Sequence, residues 1–120
     1  MGAEDAPYSL EDALLSYEKA LMINPDYAEA HESIGYFFDV IDEDLEKSET
    51  AFREAVRCGG GASSVAGLAR VLAERGHPVL EILAMIDHSD LDPSAHLMDI
   101  REEIESGMWA SKANRMKWPI

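Results

Sequence analysis

The chain has 120 residues, 47% hydrophobic and 28% charged, which fits one globular domain with a modest core and is too apolar for wholesale disorder. Its formal net charge of −14 repels nucleic-acid phosphates and anionic membrane surfaces, so neither is an expected partner, and it draws basic segments through long-range steering. A single cysteine, Cys58, forms no internal disulfide and by itself no metal-binding set, so a reducing, cytoplasmic setting without cofactors is expected.

Residues 1–8 are expected to be a disordered N-terminus, with acids where a signal peptide needs a basic region. From Ser9 onward the apolar residues follow the helical period. Ser9 caps a first helix, whose stripe is Leu10, Ala13, Leu14, Tyr17, Ala20 and Leu21, and Asn24-Pro25-Asp26 ends it. A second helix, 28 to about 41, places Ala30, Ile34, Phe37, Phe38 and Ile41 inward and leaves Tyr36 to one side, facing a partner. After the acidic turn Asp42-Glu43-Asp44, a third helix over 45–58 buries Leu45, Ala51, Phe52, Ala55 and Val56, and Gly59-Gly60-Gly61 stops it.

Ser63 or Ser64 is placed to cap a fourth helix through Val65, Leu68, Ala69 and Leu72, closed by Gly76-His77-Pro78. A fifth covers about 79–86, an apolar stretch interrupted by Glu81 and far below the roughly 18 residues a membrane span needs. A sixth, 94 to about 107, turns Leu97, Ile100, Ile104 and Met108 inward and carries enough charge to serve as a solubilising cap. No segment alternates as a strand does. Residues 110–120 form a basic tail with Lys112, Arg115 and Lys117, whereas the first 106 residues carry a net −17.

A repeat emerges on self-comparison. Ala13, Tyr17, Ala20 and Pro25 are spaced by four, three and five residues, and Ser48, Phe52, Ala55 and Gly60 repeat those intervals 35 residues later. Small residues let two helices approach, the aromatic fills the gap, and proline or glycine turns the chain. This pattern resembles the second half of the tetratricopeptide repeat, and Ile34-Gly35 with Phe38 resembles its first half. A third unit follows with Leu68-Ala69, Leu72, Gly76 and Pro93, where Glu81, Met85 and His88 stand in place of the usual small and aromatic pair. The resemblance covers about 9–95 and implies an all-α domain over 9–109, a right-handed superhelix of antiparallel helical hairpins with about six helices. Its first half-repeat lacks a partner helix, so either the natural protein continues upstream or something else covers that face.

Tetratricopeptide arrays bind extended or helical segments on a concave face lined by the first helix of each hairpin. Carried over, the resemblance implies a lining of Glu29, Glu32, Ser33, Tyr36 and Asp39, with Arg70 and Glu74 from the next hairpin. Such a groove is acidic with an aromatic floor. It lacks the Lys, Asn and Arg donors that members gripping a terminal carboxylate use. The expected function is that of an adaptor or scaffold binding a basic or amphipathic protein segment. The alternatives are a small acidic chaperone or assembly subunit, or self-association into a homo-oligomer through the first helix or the basic tail.

Enzymatic signatures are missing from the sequence. Asp87, His88, Asp90 and Asp92 lack a calcium-loop glycine and read as caps and turns. Cys58 before three glycines has neither the Lys-Ser pair nor the strand of a phosphate loop. His31, His77, His88 and His96 form no local catalytic motif, and His31 is expected to pack against a neighbouring helix.

Overall fold

A computed structural model describes residues 10–41, 43–89 and 95–109. Expectations that fall elsewhere lie outside the described residues: the N-terminal segment with Ser9, Asp42, the Asp90 to Pro93 turn and the basic tail. Six α-helices and no strand occur among the described residues: α1 Leu10–Ile23, α2 Ala28–Tyr36, α3 Leu45–Arg57, α4 Gly61–Glu74, α5 Val79–Asp87 and α6 Ala95–Ser106. No helix there is long and apolar enough to cross a membrane.

Each turn has a local cause. Asn24 closes the α1–α2 turn, its Oδ1 accepting from Asp26 N at 3.1 Å and its carbonyl from Tyr27 N at 3.1 Å. Asp44 caps α3 by accepting from Lys47 N at 3.1 Å. Gly59 and Gly61, with φ of 86° and 81°, take the left-handed backbone that the tight α3–α4 turn demands. Helix α4 starts at Gly61 without a side-chain cap. This corrects the expectation that Ser63 or Ser64 caps it: both hydroxyls lie inside the helix and donate instead to Glu32 of α2.

The second helix also departs from expectation. It does not run as one α-helix to Ile41, because Phe37–Ile41 forms a π-helical turn. Phe37 is buried there, with Phe38 edge-on to it at 5.2 Å between centroids. Asp44 N closes the wider turn by donating to the Phe38 carbonyl at 2.7 Å.

Helix α4 is the centre of the molecule. Val65 to Ala69 and Val71 to Ala73 are all buried, because α3, α5 and α6 surround it and α2 touches it. From α3 the fully buried Phe52 reaches between Gly35 of α2 and Gly67 of α4. A Cβ on Gly35 would stand 2.9 Å from the ring, and one on Gly67 would stand 2.7 Å from its Cζ. Burying that ring contributes about 1.5–3 kcal/mol, which is available only because both neighbours lack a side chain. Ser48, one turn earlier, donates to the Gly35 carbonyl at 2.7 Å and holds α3 against α2.

On the other side Ile82, Leu83 and Ile86 of α5 and Leu97, Ile100 and Ile104 of α6 complete the core. The third unit therefore packs through branched aliphatics; Glu81 and His88 are exposed and Met85 is half-buried. Met108, expected inward, is exposed, since the helix ends at Ser106 and Gly107 redirects the chain at φ 80°.

Candidate partner-binding cleft

Helix α2 and its π turn lie beside α4, and Trp109, three residues beyond the end of α6, closes the gap. Together they enclose a cleft of about 400 Å³. Tyr36, Asp39 and Val40 line one wall and Arg70 and Glu74 the other, with Glu43 at the rim and Trp109 at the end.

Arg70 organises this space. Its Nη2 donates to Asp39 Oδ2 at 2.5 Å and its Nε to the same oxygen at 3.2 Å. The guanidinium carbon stands 5.3 Å from the Tyr36 ring centre and 5.2 Å from that of Trp109, so the cation lies against two aromatic rings. The Asp39 side chain is 6% exposed and that of Arg70 19%, which makes this a largely desolvated pair. Trp109 is itself held, its Nε1 donating to Glu103 Oε1 at 2.7 Å.

Four of the seven residues expected on the concave face, Tyr36, Asp39, Arg70 and Glu74, thus meet in one cleft. The others lie elsewhere. Glu29 is exposed on the first turn of α2 and lines no part of the cleft. Glu32 bridges α2 to α4, with Oε2 accepting from Ser63 Oγ and Oε1 from Ser64 Oγ, both at 2.5 Å. Ser33 lines a second groove of about 310 Å³ between α1 and α2, with Ala13, Tyr17, Phe37 and Ile41, which Tyr36 and Val40 join to the cleft.

Tyr36 is less free than expected. Its ring meets Phe52 edge-on, centroids 4.9 Å apart and planes at 88°, so it is half structural. The floor is aromatic, yet a resident arginine covers it. Sequence reasoning missed Trp109, which lies beyond the last apolar helical step; a large aromatic just after the helix-ending Gly107 was the available signal.

Glu49 of α3 centres a second charged cluster. It accepts from Arg53 Nε at 2.8 Å and Arg75 Nη1 at 2.9 Å, and His77 Nε2 lies 3.7 Å away. Burial pushes its carboxyl up, but the Arg53 hydrogen bond and the charges of Arg53, Arg75 and His77 outweigh this and hold it below the ordinary glutamate value.

Comparisons with protein-family models, with curated proteins and with solved structures gave no match.

Proposed function

We propose that the protein is a tetratricopeptide-like interaction module whose cleft receives a basic or amphipathic segment of another protein. The observation that carries this reading is the lining of the cleft: three carboxylates, Asp39, Glu43 and Glu74, against one guanidinium, with two aromatic rings and the exposed Val40 beside them. The resident Arg70 exemplifies the chemistry such a site holds, a planar cation lying between rings and tied to a carboxylate. An incoming Arg or Lys meets a lining with more carboxylates than cations, and Val40 gives apolar contact for an amphipathic face.

The test uses fluorescent peptides of basic amphipathic, neutral and acidic sequence. Substitutions belong at Val40 and Glu43, because Tyr36 and Glu32 also hold the core and changes there confound binding with folding. The basic peptide should bind tightest, and Val40→Asp with Glu43→Lys should weaken it at least tenfold. Equal binding of all three peptides sinks the reading.

A second reading, self-association, draws on the apolar groups that α1 and the π turn leave outside: Leu15, Met22, Ile23, Val40 and Ile41 are all exposed. Sedimentation across a concentration series, with Leu15→Lys as the comparison, separates the two.

A further inference from the structure

The α1–α2 turn, α2 and the end of α3 bring together side chains of a different kind. His31 stands on α2, while Glu54 lies in the last turn of α3 and Cys58, four residues on, caps its C-terminal end, so the two share one side of the helix end. A ring nitrogen of His31, a carboxylate oxygen of Glu54 and the Cys58 Sγ lie within 4.8 Å of one another. A fourth donor is close by, since Asp26 Oδ1 is 3.8 Å from that sulfur.

We propose that His31, Glu54 and Cys58 form a zinc-type divalent metal site whose fourth position falls to solvent or to Asp26. Imidazole, thiolate and carboxylate are the mixture that borderline-soft Zn²⁺ selects, whereas Mg²⁺ and Ca²⁺ take oxygen alone. Tetrahedral coordination at zinc bond lengths sets donors roughly 3.3–3.8 Å apart, so the group has at most about 1–1.5 Å to close. The ring is already oriented: Nε2 donates to the Pro25 carbonyl at 2.8 Å, as metal-bound histidines commonly donate through the nitrogen that does not coordinate. That hydrogen bond puts the proton on Nε2 and leaves Nδ1 as the ring nitrogen with a lone pair to offer. His31 and Glu54 also border an open groove of about 460 Å³, which provides an entry path.

Without a metal, a cation already serves these donors. Arg57 Nη2 is 2.9 Å from Glu54 Oε1, 3.2 Å from Asp26 Oδ1 and 3.4 Å from Cys58 Sγ. This guanidinium is more than half exposed and leaves for solvent without opening a cavity. A metal ion therefore competes with Arg57, which distinguishes this site from a thiol that merely collects metal.

Cobalt(II) is the probe, titrated into the reduced full chain. The expected result is a near-ultraviolet thiolate-to-cobalt band with the intense visible bands of four-coordination, both lost on adding Zn²⁺. Cys58→Ser should abolish the near-ultraviolet band, and His31→Gln and Glu54→Gln should each weaken binding at least tenfold with unchanged circular dichroism. Arg57→Gln should tighten it. A six-coordinate spectrum without the thiolate band overturns the proposal, and so does a thiolate band whose affinity ignores Glu54→Gln and Arg57→Gln. Glu54 and Arg57 lie outside the core, so this arm stands even where His31→Gln disturbs the helix pair.

Discussion

Phe52 illustrates how one side chain sets the tolerance of its neighbours. Alanine at Gly67 gains up to about 1 kcal/mol of helix propensity. The new Cβ, however, meets a ring that Gly35 already confines on α2, and overpacking of this kind costs about 1–3 kcal/mol. Sterics win, so Gly67→Ala should lower the midpoint of urea denaturation rather than raise it. Glu32 makes a second case. Glu32→Ala leaves the buried Ser64 hydroxyl without its acceptor and should cost about 1–3 kcal/mol by the same measurement, whereas Glu29→Ala, on an exposed site, should change little. The role of Phe52 was legible in the sequence because its spacing from Ser48 and Ala55 is a packing pattern. The role of Glu32 was not. A carboxylate that accepts from serines two helices away leaves no periodic trace, and Ser63 and Ser64 looked like caps because capping is what serines near a helix start usually do.

Elements differ in how firmly they are held. Helix α1 packs chiefly against α2, and its inward residues Ala13, Leu14, Tyr17, Ala20 and Leu21 are only half-buried, while α4 is enclosed by three helices. Native-state hydrogen exchange should find the α1 amides opening well before those of Val65 to Leu72; equal protection would mean that something covers the outer face of α1. Helices α3 and α4 are also tied by charge through Glu49. Its folded-state carboxyl lies below its unfolded value, so the folded chain binds that proton less readily. The stabilisation is present above the unfolded value and disappears as pH falls through the folded one. Thermal melts across the acid range should show Glu49→Gln with a shallower loss of stability than the parent chain. The helical segments were readable from apolar period alone, with ends displaced by a few residues. The π turn was not readable, because Phe37, Phe38 and Ile41 satisfy an α-helical stripe equally well and the wider backbone hydrogen bonding that separates the two leaves no side-chain period.

At the scale of the whole molecule, an acidic body surrounds a cleft whose central cation the chain supplies itself. Association of a basic peptide should therefore slow with added salt, as the approach is steered by net charge, while its dissociation should follow the contacts with Val40 and the rings. A salt-independent association rate in stopped-flow measurements would place binding on an uncharged face. Four of the cleft's residues were nameable from the sequence through the family resemblance. Arg70 was among them, but its capture by Asp39, Tyr36 and Trp109 depends on the π turn and on the exit of α6, neither of which has a sequence period.

The glycine walls around Phe52 have a consequence in time as well as in space. A phenyl ring turning about its Cβ–Cγ bond sweeps out more width than its resting slot, and here both slot walls are backbone. The ring can turn over only when α2 and α4 part briefly. Its two sides should therefore give separate or broadened proton resonances, exchanging on the order of microseconds to milliseconds. Because Tyr36 rests edge-on against this ring, a peptide seated over Tyr36 should slow the exchange, making Phe52 an internal clock for an event on the surface.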